Sequence, residues 1–294
     1  RINLWISSNA MVRQEFMNKI AIIGAGTVGS TIAIALAQKG IRVIVKSRYE
    51  NDKIFRIIEP KLTNAVKSGS LSEREVEMIL NNIIGTVDWE LITDVDLIIE
   101  SIIENLEEKQ KLFEKLDKLC VEKTIFSSNT SSLQIKEIAS YITRKDKFIG
   151  IHFLNPAYKM PLVEIAKTSE TSKETLEKVI NFIRKIDKDP VIVPDIPGFI
   201  LNRLLILMIN EAINMVNENV ATPQDIDKVL RLGANHPMGP LALADYIGLD
   251  TLLMIIKNLY RFFGDKYEPS SRLEEMVKSS KLGRKTGEGF YKYD

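Results

Sequence analysis

Length, composition and charge set the first limits on this chain. It has 294 residues, of which 45% are hydrophobic and 27% charged, and its formal net charge is +1. A chain of this length is expected to form two domains, or one large one. Because positive and negative charges balance and no long basic block occurs, we expect no nucleic-acid partner.

The cysteine content and the hydropathy pattern indicate the cellular location of the chain. Cys120 is the single cysteine, so no intrachain disulfide can form and a cytoplasmic location is expected. Polar residues interrupt the most apolar stretch, residues 199–216, and we expect no membrane-spanning segment. Residues 1–16 lack the apolar centre of a signal peptide and are interpreted as an N-terminal extension of unknown role. No Cys/His cluster has the spacing of metal ligands, so no metal is expected.

The predicted elements begin with a strand over residues 19–23. The glycine motif Gly24-Ala25-Gly26-Thr27-Val28-Gly29 follows at once, then a helix over residues 30–39 and a second strand over 42–46. This order is the βαβ unit of a parallel sheet. Such a glycine turn is common by itself, but in this context the motif favours dinucleotide binding over an incidental turn.

The motif also predicts how the dinucleotide is held. Gly24 permits the tight turn, Gly26 lets the backbone approach the pyrophosphate, and Gly29 allows close packing of the helix. Thr27 and Val28 lie at the helix N-terminus, which supplies N–H donors and a partial positive charge. All five residues are therefore candidate cofactor-binding residues.

Strands and helices continue to alternate as far as residue 193. Further strands are predicted at residues 83–87, 96–101, 124–128, 147–154, 162–167 and 191–193, and helices within 52–82 and at 106–119, 133–141 and 173–187. The alternation indicates an α/β fold with a Rossmann-type, mostly parallel sheet.

The pattern becomes helical after Pro197-Gly198. Helices are predicted over residues 199–217, from Thr222 onward, and over 240–247, 249–263 and 269–280. We therefore expect a dinucleotide-binding Rossmann domain over residues 17–196 and an all-α C-terminal domain over residues 197–294.

The end of the second strand bears on cofactor choice. A carboxylate usually stands there to bind the ribose 2′-hydroxyl, but this chain has Ser47, flanked by Lys46 and Arg48. A hydroxyl between two cations would accept a 2′-phosphate, which favours NADP over NAD. The alternative is that Lys46 and Arg48 are solvated surface charges.

The chain has two histidines, His152 and His236. Oxidation of an alcohol needs a base that titrates near neutral pH, and histidine is suited to it. His152 ends a predicted strand and is the candidate base. His236 lies in a turn bounded by proline and glycine and is interpreted as structural.

Taken together, the motifs resemble the 3-hydroxyacyl-CoA dehydrogenase family, most closely its single-function, short-chain members (3-hydroxybutyryl-CoA dehydrogenases). The matching segments are the glycine motif and residues 128–132, 152–156, 197–203, 232–240 and 283–291. They occur in order from residue 17 to the end. This resemblance implies reversible oxidation of a short-chain (S)-3-hydroxyacyl-CoA to a 3-oxoacyl-CoA by a nicotinamide cofactor.

The resemblance also implies roles for four residues at the reaction centre. His152 would be the general base, Glu164 would orient it, and Ser131 and Asn202 would bind the substrate oxygen. From the residues alone, Glu164 could instead be a surface acid, Ser131 a helix cap and Asn202 a polar spot on an apolar helix.

Further residues match positions that bind cofactor or coenzyme A in the family. The resemblance places five near the nicotinamide or its ribose: Glu104, Lys109, Asn129, Asn155 and Lys285. Glu104 and Lys109 could equally be helix-surface charges. Lys67 is a candidate coenzyme A contact, although the segment around it is slightly shorter than in close relatives.

Two other functions remain open at this point. A sugar-acid dehydrogenase of the gulonate type would share the fold and the His–Glu pair, and a crystallin-like protein would bind nucleotide without catalysis. The resemblance also implies a homodimer formed through the helical domain. Packing within that domain would explain its apolar faces equally well.

Overall fold

The computed structural model of the protein describes residues 17–293. The extension expected over residues 1–16 lies outside the described residues. The strands form one eight-stranded sheet in the order β3-β2-β1-β4-β5-β6-β7-β8. They are β1 Ile20–Ile23, β2 Val43–Lys46, β3 Ile83–Thr86, β4 Leu97–Glu100, β5 Ile125–Ser128, β6 Phe148–Phe153, β7 Leu162–Lys167 and β8 Asp189–Pro194.

Neighbouring strands are parallel except for β6 and β7, which are antiparallel. The sheet helices are α1 Thr27–Ala37, α2 Lys53–Lys67, α3 Glu73–Asn81, α4 Leu106–Leu119, α5 Ile135–Ile138 and α6 Lys173–Lys185. This arrangement confirms the predicted Rossmann-type, mostly parallel sheet.

Both faces of the sheet are buried. Ile20 and Ile22 of β1 belong to one hydrophobic cluster, while Ala21 and Ile23 belong to another on the opposite face. Because strand side chains alternate between faces, a strand covered on both sides needs apolar residues at every position. That explains the continuous apolar runs of β1 and β4.

The helix expected over residues 133–141 is shorter in the structure. The Asp195 carboxylate accepts hydrogen bonds from the N–H groups of Ile135 (2.6 Å) and Lys136 (2.9 Å), so α5 begins there. After Ile138 the chain tightens into a 3₁₀ turn over Ala139–Tyr141. The prediction merged these two short pieces into one helix.

The remaining helices pack on one another around a separate core. They are α7 Leu201–Asn217, α8 Pro223–Gly233, α9 Pro240–Ile247, α10 Leu249–Phe263 and α11 Ser271–Lys278. The Thr222 side chain accepts a hydrogen bond from the N–H of Asp225 (3.2 Å), as the sequence predicts for the start of α8. In residues 17–293, none of the helices is long and apolar enough to cross a membrane.

The start of α7 differs from the prediction. Phe199 has a positive φ of 48° after Gly198, so the helix begins at Leu201 rather than at Phe199. This turn brings the N-terminus of α7 to the edge of the sheet where the parallel strands end. Ligands of open parallel sheets bind at that edge.

Candidate active site

The glycine motif lines a cavity of about 730 Å³ at the carboxyl ends of β1, β2 and β4. A Cβ at Gly24 would clash with the backbone carbonyl of Ser101, and one at Gly29 would clash with the carbonyl of Gly24. A Cβ at Gly26 would meet nothing within 4 Å, because Gly26 faces open space. Gly24 and Gly29 are therefore required by the packing, while Gly26 leaves room for a ligand.

The same wall of the cavity supplies donors for an anion. Thr27 and Val28 begin α1, whose N-terminal N–H groups point out of the helix and are available to a ligand. No acid occupies the first turn of α1. This donor set and the open face of Gly26 fit the pyrophosphate of a dinucleotide.

Ser47 and Arg48 line the cavity where β2 ends. The Ser47 hydroxyl hydrogen-bonds with the backbone of Glu50, both to its carbonyl and from its N–H. Arg48 is exposed, whereas Lys46 is buried and its ammonium donates to the carbonyl of Ser47 (3.0 Å). The alternative of a solvated surface charge is therefore wrong for Lys46.

His152 and Glu164 form a buried pair across β6 and β7. The antiparallel register places the two residues directly opposite each other, and His152 Nδ1 lies 2.9 Å from Glu164 Oε2. The other carboxylate oxygen accepts the N–H groups of Ile200 (2.9 Å) and Leu201 (3.0 Å) at the start of α7. Since Glu164 is only 1% exposed, the alternative of a surface acid is wrong.

The surroundings of Glu164 keep it ionised. Burial of the carboxyl opposes ionisation, but the hydrogen bond from His152 and those from the α7 backbone outweigh it and lower the pKa of Glu164. A fixed negative charge next to one imidazole nitrogen leaves the other, Nε2, available to a ligand.

Ser131 and Asn202 lie against each other between the sheet and the helices. The Asn202 side-chain amide donates to the carbonyl of Ser131 (3.2 Å). The Ser131 hydroxyl has no hydrogen-bond partner among the described residues, and α5 begins without a side-chain cap. Ser131 is therefore not a helix cap. The Phe199 ring lies 5.6 Å from the His152 ring, centre to centre, so β6 and the turn before α7 meet at this point.

Glu104 organises the loop that carries Ser131. Its Oε1 accepts hydrogen bonds from the Thr130 hydroxyl (2.5 Å) and from the N–H groups of Ser131 and Ser132 (both 3.1 Å). Burial opposes ionisation, but the charge of Lys109 and these hydrogen bonds outweigh it and lower the pKa of Glu104. Lys109 is 1% exposed, so neither residue is an ordinary helix-surface charge.

Glu100 belongs to the same network and was not predicted from the sequence. This carboxylate is fully buried and lies 2.5 Å from the Lys109 ammonium. It also accepts hydrogen bonds from the Ser128 hydroxyl (2.5 Å) and the N–H of Ile102 (2.7 Å). An acid that ends a continuous apolar strand is a usable signal, because a buried carboxylate needs partners.

The other candidates are more dispersed. The Asn129 side chain accepts the N–H of Phe153 (2.8 Å), next to His152. The Asn155 side chain accepts the Thr31 hydroxyl of α1 (3.4 Å). Lys285 is paired with Asp250 at the start of α10, and Lys67 is exposed on the last turn of α2. Neither lysine makes a polar contact with His152, Glu164, Ser131 or Asn202.

His236 also lies apart, in the turn between α8 and α9. Among residues 17–293, no group of three or more His, Cys, Asp or Glu side chains could hold a metal ion.

Comparison with known proteins identifies the family. Residues 19–196 match the NAD-binding domain of 3-hydroxyacyl-CoA dehydrogenase, and residues 198–293 match the C-terminal domain of 3-hydroxyacyl-CoA dehydrogenase. The chain therefore belongs to the 3-hydroxyacyl-CoA dehydrogenase family, and its Rossmann domain is of the type that binds a nicotinamide dinucleotide. The resemblance inferred from the sequence is confirmed.

Individual relatives agree over nearly the whole chain. A 3-hydroxybutyryl-CoA dehydrogenase of Clostridioides difficile is 46% identical over 94% of this chain and 99% of its own. The human mitochondrial hydroxyacyl-coenzyme A dehydrogenase is 38% identical over 98% and 95%. The crystal structure of (S)-3-hydroxybutyryl-CoA dehydrogenase PaaH1 from Ralstonia eutropha superposes with a TM-score of 0.88 at 40% identity, covering 95% and 99%.

Proposed function

We propose that this protein interconverts (S)-3-hydroxyacyl-CoA and 3-oxoacyl-CoA, with 3-hydroxybutyryl-CoA as the representative short-chain substrate. The observation that supports this proposal most directly is the buried His152–Glu164 pair, which lies where the sheet meets the start of α7. The relatives named 3-hydroxybutyryl-CoA dehydrogenase support the choice of substrate.

His152 serves as the base in the oxidative direction. Its Nδ1–H donates to Glu164, so Nε2 carries a lone pair and takes the proton of the substrate hydroxyl. The Glu164 carboxylate then stabilises the imidazolium that forms. The bound nicotinamide supplies the hydride acceptor. In the reverse direction the protonated His152 returns the proton to the oxygen.

Ser131 and Asn202 hold the reacting oxygen. The Ser131 hydroxyl is free to donate, and the bond from Asn202 to the Ser131 carbonyl fixes the amide beside it. Since the two residues come from the sheet loop and from α7, substrate binding bridges the two parts of the molecule. We also propose a domain division near residue 197, because the helices after it share their own hydrophobic core.

The cofactor is proposed to be NADP rather than NAD. No acid directly follows β2, and the first acid in the loop after it, Glu50, is paired with Arg56. Arg48 therefore remains available to a 2′-phosphate, whereas the Ser47 hydroxyl is already engaged with the Glu50 backbone. The proposal thus rests on the cations more than on the serine.

The remaining partners are proposed in the same way. Lys67, exposed at the end of α2, is the candidate for contact with coenzyme A, and Lys285 for contact with the nicotinamide ribose. A homodimer through the helical domain is proposed from the apolar side chains exposed there. A cytoplasmic location is proposed because Cys120 is the single cysteine and is a free thiol, so no intrachain disulfide forms.

A direct assay tests the activity. Acetoacetyl-CoA is mixed with the purified protein, and the oxidation of NADPH and of NADH is followed by absorbance. We expect turnover, faster with NADPH, and a loss of roughly 10²–10⁴-fold in His152→Ala, because removal of a general acid–base group costs about that much. His236→Ala is the matched control and should keep full activity.

Two outcomes would contradict the proposal. Oxidation of neither cofactor would refute the dehydrogenase activity, and near-normal turnover by His152→Ala would refute the role of the histidine. A parallel reaction with gulonate and oxidised cofactor tests the sugar-acid alternative, which predicts turnover without any coenzyme A thioester.

A further inference from the structure

The cavity lined by the glycine motif carries more positive charge than its carboxylates balance. Five cations line it: Lys46, Arg48, Lys53, Lys111 and Lys115. Lys111 is paired with Glu107 at 2.6 Å. The other four form no ion pair within residues 17–293, although Glu108 lines the same cavity and Asp88 acts on Lys46 from a longer distance.

Two of these cations lie on one aromatic ring. The ammonium groups of Lys46 and Lys115 are 4.1 Å and 3.7 Å from the ring centre of Trp89. They are therefore within about 8 Å of each other, one reaching from the end of β2 and the other from α4. Attraction to the indole ring holds both groups in place, but it does not neutralise them.

Lys46 is the less usual of the two, because it is only 5% exposed. Its ammonium donates to the carbonyl of Ser47 (3.0 Å) and has no carboxylate partner among the described residues. Burial and the like charge of Lys115 lower the pKa of Lys46. A buried cation without a counter-ion is unfavourable, and a bound anion would relieve that cost.

We propose that Lys46, Lys115 and Trp89 form a second wall of a 2′-phosphate subsite, so that α4 as well as the loop after β2 selects NADP. This inference rests on the proposed cofactor preference. A phosphate monoester carries close to two negative charges, so one bound in this cavity would offset the positive charge of the two ammonium groups. An adenine ring alone is neutral and would leave the repulsion between the two lysines in place.

A phosphate on adenosine could come from either substrate, because coenzyme A carries a 3′-phosphate on its own adenosine. The experiment therefore uses three nucleotides: 2′,5′-ADP, 3′,5′-ADP and 5′-AMP. Binding is followed by the fluorescence of Trp89 in a Trp5→Phe background, since the chain has two tryptophans. The measurement needs no catalytic turnover, so it is independent of the proposed activity.

We expect the protein to bind 2′,5′-ADP at least tenfold more tightly than 5′-AMP, and Lys115→Gln to reduce that ratio roughly tenfold through loss of a charge-assisted contact. Lys118→Gln is the matched control. It lies on the same helix, is paired with Glu114 and does not line the cavity, so the ratio should not change. Lys115→Glu should reduce the ratio further.

Each other result has a distinct meaning. A ratio that Lys115→Gln leaves unchanged refutes the inference and keeps the cofactor proposal, because the β2 loop alone then selects the phosphate. An equal loss for 5′-AMP refutes it as well, since Lys115 would then act on the base or the 5′-phosphate. A Lys115-dependent preference for 3′,5′-ADP assigns the subsite to coenzyme A. No preference in the unmodified protein refutes both the inference and the NADP proposal, while the acetoacetyl-CoA assay still tests the dehydrogenase activity.

Discussion

The Glu164 carboxylate is hydrogen-bonded both to the candidate base and to the backbone at the start of α7. One oxygen faces His152, and the other holds the N–H groups of Ile200 and Leu201. The same carboxylate therefore orients the base and fixes the helix that carries Asn202. Loss of its charge should affect both catalysis and stability.

The Glu164→Gln variant tests this double role. The folded-state pKa of Glu164 lies below its ordinary value of 4.5, so its stabilising effect is present above that pH and is lost as the pH falls through the folded pKa. We expect kcat/KM to fall roughly 10²–10⁴-fold, as for loss of an acid–base group. The free energy of unfolding at pH 7 should fall by about 1–3 kcal/mol.

The pH dependence of the stability difference distinguishes loss of the Glu164 charge from a change in packing. The stability difference between the two proteins, measured by denaturant unfolding, should shrink as the pH is lowered below about 4.5, where the unfolded carboxyl takes up its proton. Glu170→Gln is the control, at an exposed acid shortly after β7 in a surface ion pair with Lys145, and it should change the stability at pH 7 by much less. A difference that stays constant with pH would show that the amide disturbs packing instead.

At this scale the sequence predicted single residues better than networks. The family resemblance pointed to His152, Glu164, Ser131 and Asn202, whose catalytic roles stay predictions. In the structure, hydrogen bonds join them as two pairs, and Glu164 also accepts the N–H of Leu201, next to Asn202. Glu100 was missed because its partners, Lys109 and Ser128, lie 9 and 28 positions away along the chain. No local spacing rule connects residues that meet only when α4 and β5 pack beside β4.

At the scale of elements, one glycine of the turn allows close packing and another borders the cavity. Gly29 allows α1 to approach the turn before it, whereas Gly26 faces the cavity. The motif predicted the packing role of Gly29, which the structure shows, whereas the ligand-binding role of Gly26 stays a prediction. Boundaries were harder to predict: α5 starts where Asp195 caps it, and α7 starts after the positive φ of Phe199. Asp195 lies 60 positions from Ile135, and Glu164, which accepts the N–H of Ile200 before α7, lies 36 positions from it, so both starts depend on distant parts of the chain.

Alanine at Gly29 should therefore lower stability, whereas alanine at Gly26 should weaken cofactor binding. Gly29→Ala places a Cβ against the carbonyl of Gly24, so we expect the free energy of unfolding to fall by about 1–3 kcal/mol. Gly26→Ala has room for its Cβ and should keep the melting temperature, while the affinity for NADPH falls roughly tenfold or more because the pyrophosphate can no longer approach. Thermal melts and fluorescence titration measure the two effects. Equal destabilisation by both substitutions would contradict this assignment.

At the scale of the whole molecule, the helical part has more apolar surface than its own core uses. Ile206, Ile209 and Ile213 of α7 are buried within that part, so packing inside it accounts for most of the apolar face of α7. Val229 and Leu232 of α8 remain exposed, three positions apart on one helix face, and Leu232 is 73% exposed. Contiguous exposed apolar patches mark interfaces between proteins, and these two side chains are the candidates on α8 for such a patch.

A second copy of the chain is the partner proposed for this face, and α8 provides the test. Leu232→Asp introduces a charge where a dimer would bury an apolar side chain, so sedimentation at micromolar concentration should show a dimer for the unmodified protein and a monomer for the variant. Leu91→Asp is the matched control, because Leu91 is an exposed leucine on the sheet domain, and it should remain dimeric. If Leu232→Asp keeps the dimer, the interface lies elsewhere; if the unmodified protein sediments as a monomer, the homodimer proposal is wrong. Since His152, Ser131 and Asn202 all meet within one chain, the monomeric variant should still oxidise NADPH with acetoacetyl-CoA.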